Sequence, residues 1–93
     1  MVVEQEMTKR TDELIAKWIV LGEYDGPHQA WIKDHGTPVW ALVGALPAHS
    51  FDGRAVAESY GLPWEAFQAA MAYYQRYKAF IDAKVLLNSS TYG

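Results

Sequence analysis

The sequence predicts a small, mainly α-helical domain with a helix-turn-helix skeleton behind two short strands. Three observations carry this. In the second half, Pro38, Asp52 and Pro63 each open an apolar segment of helical length. Gly61 separates the last two segments by a turn of about three residues, the spacing of a helix-turn-helix step. In the first half, Trp18-Ile19-Val20-Leu21 and Gln29-Ala30-Trp31-Ile32-Lys33 are short, bulky and bounded by turn residues. At 93 residues the chain fits one domain: an N-terminal arm with short strands over 1–36, and a helical core over 37–88.

Residues 4–21 form the first ordered segment. Thr8 or Thr11 caps a helix with Asp12 and Glu13 in its first turn, where negative charge is favoured. Met7, Leu14, Ile15 and Trp18 recur at helical spacing. Two readings stay open from Lys17 onward. Either 8–21 is one amphipathic helix, or a short helix passes into a strand that pairs with 29–33 across the Asp25-Gly26-Pro27 turn. A lone hairpin is marginal in water, so that strand pair needs a helix or a second chain to lie on.

The core helices follow. Thr37 suits the N-cap and Pro38 the first position of a helix that Pro47 stops just after Leu46. Ser50 or Asp52 caps a second helix over Gly53 to Tyr60, with Val56 and Tyr60 on one face and Gly61 in the left-handed position beyond it. Leu62-Pro63 then opens one helix that nothing breaks before Asn88-Ser89-Ser90, about 25 residues or roughly 37 Å. One of its stripes holds Phe67, Ala70 or Met71, Tyr74, Tyr77, Ile81 and Val85 or Leu86; a flanking one holds Ala66, Ala69, Tyr73 and Phe80. Tyr73 and Tyr74 sit about 100° apart, so Tyr74 is expected inside and Tyr73 against a neighbour or the N-terminal segment. The tail from Ser89 to Gly93 is expected to fray.

Composition narrows the function. There is no cysteine, which removes a disulfide scaffold, a thiol nucleophile and a cysteine-built zinc site. His28, His35 and His49 fall in three separate loops, and paired carboxylates of catalytic type are missing, so neither a metal, a cofactor nor an enzymatic role is expected. The start lacks a signal peptide and no apolar run reaches membrane-spanning length, so a soluble cytoplasmic protein with no membrane contact is expected. Net charge is −3, with four basic and seven acidic residues over 1–50 and four of each over 51–93. If the long helix reads DNA, Gln68 suits adenine, and Arg54 and Arg76 are the phosphate contacts. A dimer could gather Arg54, Arg76, Lys78 and Lys33 into one patch. Thirteen aromatic rings exceed what so small a core needs. Trp40 belongs in that core, while Trp18, Trp31, Tyr73, Tyr77 and Phe80 are the candidates for a dimer or partner surface.

Three pieces also occur in a recognisable order: Gly36-Thr37 before Pro38-Val39-Trp40, then Ala57-Glu58-Ser59-Tyr60-Gly61-Leu62, then Ala69-Ala70-Met71-Ala72-Tyr73-Tyr74. Through them residues 29–88 resemble the uncharacterised-domain family numbered 433, some members of which are described as antitoxins of the VapB type. The resemblance implies a three-helix, homeodomain-like core behind short strands, usually dimeric, and so favours the hairpin over 17–33. The family's usual arginine between Thr and Pro is missing, since Thr37 is followed directly by Pro38. The resulting expectation is a homodimeric helix-turn-helix-like binding protein, an antitoxin or autoregulator with a toxin protein and operator DNA as partners. The rival is a protein-interaction or assembly module of the same fold without DNA binding.

Overall fold

The computed structural model describes residues 2–21 and 26–92, with side chains for 8–21 and 26–88. Its order is α1 (Val2–Trp18), β1 (Ile19–Val20), a 3₁₀ turn (Pro27–Gln29), β2 (Trp31–Ile32), α2 (Val39–Ala45), a 3₁₀ turn (Pro47–His49), α3 (Gly53–Ser59), α4 (Trp64–Arg76) and α5 (Lys78–Tyr92). The fold is mainly α, with one short hairpin. Both readings of the first segment hold in part: the helix runs through Trp18, and the chain then extends without a break into β1. The antiparallel register sets Ile19 opposite Ile32 and Val20 opposite Trp31. Asp25 of the expected turn lies outside the described residues.

The hairpin changes how α2 begins. The Ile32 amide donates to Thr37 O at 2.8 Å, the Val39 amide donates to Ala30 O at 3.0 Å, and Trp31 bridges Pro38. Thr37 is thereby spent on extended pairing and does not cap. The N-cap is Pro38, extended at φ −68° and ψ 143°, with no side-chain cap. At the other end Pro47 ends α2 as expected. Consecutive left-handed residues, Ser50 and Phe51, then turn the chain into α3.

Asp52 caps α3 by accepting from the Arg54 and Ala55 amides at 3.0 and 3.2 Å. Its C-terminus closes on Gly61 at φ +67°, with the Gly61 amide on Glu58 O and the Leu62 amide on Ala57 O. Leu62 is buried there, which ties the turn to the core. Gly53 has a separate reason. A Cβ at that position would lie 2.8 Å from Cε1 of Phe67, so only glycine lets α3 start against the ring.

The expected single long helix is two helices. Tyr77 breaks it at φ −127° and ψ 37°, its amide shared between Tyr73 O and Tyr74 O. The break turns the two halves toward different neighbours: α4 lies on α1, α2 and α3, while α5 lies on α2 and the Pro27–Gln29 turn. Helix then continues through Asn88-Ser89-Ser90 to Tyr92, past the expected stop.

Ile19, Ile32, Val39, Leu42, Val56, Phe67, Tyr73 and Ile81 form the bulk of the core, with alanines 66, 69 and 70 of α4 between them. The expected order of the adjacent tyrosines is reversed: Tyr73 is 2% exposed and Tyr74 only half-buried. Small alanines on the Tyr73 side let the N-terminal half approach closely and close over that ring. Its hydroxyl donates to Pro27 O at 2.7 Å, while that of Tyr74 donates to Asp82 at 2.7 Å. Burial, and then the neighbouring Tyr77, pushes the Tyr73 hydroxyl up to about 12. Burial and the Asp82 carboxylate push Tyr74 up to about 12 as well.

Candidate binding surfaces

Three surfaces deserve comparison: the open side of α4, the outer side of α5, and a cleft beside the hairpin. On α4, α1 runs antiparallel along the side bearing Glu65, Ala69 and Arg76. An ion pair closes the seam at each end. Lys17 Nζ lies 2.9 Å from Glu65, which also accepts from Trp18 Nε1 at 3.1 Å, and Asp12 pairs with Arg76. The hydrogen bonds from Lys17 and Trp18 hold the Glu65 carboxyl below its ordinary 4.5.

Arg54 is exposed at the start of α3, its guanidinium 4.3 Å from the Trp64 ring centre. Trp64 in turn stacks on Phe67 at 5.4 Å. Gln68 is exposed on α4, and Gln75 follows it two turns later. Of the three expected DNA contacts, Arg54 and Gln68 share the α3–α4 side, whereas Arg76 is committed to Asp12. The strip that α4 leaves open is uncharged. Lys33 is not drawn toward it: it sits in the turn after β2, its amide on Trp18 O at 2.7 Å.

The expected partner residues divide. Trp18 is half-buried and tied to Glu65, and Tyr73 is inside the core, so it is withdrawn from any partner surface. Tyr77 is 38% exposed, its ring 4.8 Å from that of Tyr73. Phe80 is 54% and Leu87 66% exposed, and with Ala83 they follow the i, i+3, i+7 spacing of one helix face. Leu86, 69% exposed, flanks them. Between this face and His28 lies a groove of about 430 Å³ lined by Ala79, Phe80, Ala83, Lys84 and Leu87. The flanking stripe drawn from the sequence stopped at Phe80; Ala83 and Leu87 continue it at i+3 and i+7. Trp31, 37% exposed, borders a second cavity of about 360 Å³ with Gln29, Gly36, Pro38 and Trp40. Trp40, expected in the core, is half-buried against it, with Lys84 Nζ 5.7 Å from its ring centre.

Among the described residues no polar or charged side chain is buried, and no group of three or more His, Asp or Glu could hold a metal ion. His35 lies beside Trp18, and His49 Nδ1 is 3.0 Å from Ala45 O. Among the described residues no helix is long and apolar enough to cross a membrane. Compared with protein-family models, curated proteins and solved structures, the chain matches none.

Proposed function

We propose that this protein is a homodimeric binding module that acts through protein contacts on a helix-turn-helix-like skeleton. One observation carries the reading: Phe80 and Leu87, both more than half exposed, lie with Ala83 on one apolar face of α5 beside an open groove. Leu86, also more than half exposed, flanks it, and exposed apolar side chains gathered on one face point to an interaction surface where singly scattered ones do not. A two-fold dimer uses the same patch from both copies, so one stripe suffices. Sedimentation equilibrium at tens of micromolar tests this. The wild-type chain is expected to be a dimer, and Phe80→Glu combined with Leu87→Glu a folded monomer. A wild-type monomer at that concentration overturns the reading.

A second reading is favoured by the α3–Gly61–α4 turn. Its spacing and its Gly61 closure suit a helix-turn-helix step, with Arg54 and Gln68 on the exposed side. This is the antitoxin or autoregulator that the resemblance of residues 29–88 implies, with a toxin and operator DNA as partners in the cytoplasm. Against it stand the net charge of −3 and the uncharged strip on α4. A gel-shift titration with the DNA upstream of its own coding sequence, at low salt, separates the two. The contact reading expects no shift at micromolar dimer; a shift weakened by Arg54→Ala and Gln68→Ala establishes the second.

A further inference from the structure

The groove beside α5 carries a charge pattern as well as an apolar face. Ala79, Phe80, Ala83 and Leu87 line it from α5, and His28 lines it from the Pro27–Gln29 turn. The remaining wall is Lys84, half-buried. Among the described residues no carboxylate lines this groove. Lys84 is in no ion pair among them either; its ammonium stands 5.7 Å from the Trp40 ring centre, near the outer limit for such a contact. The one acid on α5, Asp82, is held toward α4, where it accepts from the Tyr74 hydroxyl at 2.7 Å. A second copy packed by the same face would present Ala79, Phe80, Ala83, Leu86 and Leu87, and none of these neutralises Lys84. The groove is thus apolar, cationic at one point, and lacks its counter-charge.

We infer that this groove binds a single-chain aliphatic carboxylate, with its chain against Ala79 and Ala83 and its head group on Lys84. Each part of the ligand answers a part of the wall. Small side chains at 79 and 83 leave room beside Phe80 and Leu87 that a methylene chain is slim enough to use, and each methylene removed from water adds to affinity. The volume, about 430 Å³, falls in the range of small-molecule sites. Two turns of an entering helix, about 10 Å across and 11 Å long, would fill roughly twice that. Charge selects the head. A carboxylate on an ammonium forms a charge-assisted hydrogen bond, and the His28 ring supplies a further nitrogen in the same groove. A polyanion such as nucleic acid needs a run of cations, which Lys84 alone on a chain of net charge −3 does not provide. The inference goes beyond the dimer and does not depend on it, because one copy supplies every one of these groups.

The test is a calorimetric titration of the intact chain with sodium decanoate. Saturable binding is expected below about 1 mM, the range of a small ligand in an open groove. Decyltrimethylammonium, with the same chain and a cationic head, should bind at least fivefold more weakly. Lys84→Gln should keep the unfolding midpoint and abolish that preference. Ala83→Gln, at an exposed position, should fill the groove and weaken decanoate at least fivefold. Sedimentation reads the dimer separately: a monomer that still binds decanoate overturns only the dimer, and a dimer that binds none overturns only this inference. Four outcomes overturn it: no saturable binding, equal binding of the ammonium amphiphile, undiminished decanoate binding by Lys84→Gln, or tighter binding of a blocked helical peptide of Leu, Ala and Glu.

Discussion

The two helices that meet at Tyr77 use similar raw material in opposite ways. In α4, thirteen residues long, five side chains are buried and three of those are alanine. In α5, fifteen residues long, Ile81 is the fully buried side chain among those described, while Phe80, Leu86 and Leu87 face outward. Neighbours make the difference. α4 is enclosed by α1, α2 and α3, and small residues on its α1 side let that helix approach. α5 leans on α2, the Pro27–Gln29 turn and the end of α4, and Phe80, Leu86 and Leu87 on its other side are more than half exposed. Apolar content in a helix therefore reports how much surface could be covered, and the surrounding elements decide how much is.

Substitutions on the two helices should differ most at Tyr73 and Phe80. Tyr73→Ala removes a buried ring and should cost about 3–5 kcal/mol in denaturant unfolding. Phe80→Ala should stay within about 0.5 kcal/mol when measured on the monomeric chain. Equal costs would end the contrast. Next in size, Gly53→Ala presses a methyl group on the Phe67 ring from α3 and should cost about 1–3 kcal/mol. A loss well below that would mean the ring gives way, and α4 is less closely packed than described.

Smaller effects sharpen the picture. Tyr73→Phe deletes only the bond to Pro27 O and should cost about 1 kcal/mol. It should also change the alkaline limb. Because folding raises the Tyr73 hydroxyl from 10 to about 12, its contribution is complete below pH 10 and is lost as pH rises toward 12. The variant should lack that part of the loss, with Tyr74 contributing equally in both proteins. At the acid end the sign is opposite. Glu65 is held below 4.5, so its contribution is present above that value and lost as pH falls through the lowered one. Glu65→Gln should flatten this small acid dependence; an unchanged acid limb would detach Glu65 from the α1–α4 seam.

Local signals were legible where one residue type has one job. Asp52 as a cap, Gly61 as the left-handed closure and Pro47 as a stop all act through backbone chemistry within a turn of chain. The hairpin was visible as two bulky runs between turn residues. The break at Tyr77 carried no such signal, since neither glycine nor proline marks it. It follows from where α2 and the Pro27–Gln29 turn stand, which is settled some forty residues away. Ala83 and Leu87 continue the stripe of Tyr73 and Phe80 at helical spacing; what the bend and the neighbours decide is that Tyr73 is covered while Phe80 and Leu87 stay exposed. The Tyr73 and Tyr74 exchange has the same root. Counting bulk pointed to Tyr74, while the alanines beside Tyr73 were the trace of a close neighbour.

The two ion pairs along the α1–α4 seam are exposed, and pairs of that kind add little stability. Their arrangement has another consequence. α1 presents an anion, Asp12, and then a cation, Lys17; α4 presents the anion first, at Glu65, and the cation last, at Arg76. Docked head to tail, each meets its opposite. Docked in the same direction, Asp12 would face Glu65 and Lys17 would face Arg76, and both ends would repel. The alanine seam itself has no sense of direction. Four surface charges supply one, and they act as a polarity mark that tells the first helix which way to lie on the fourth.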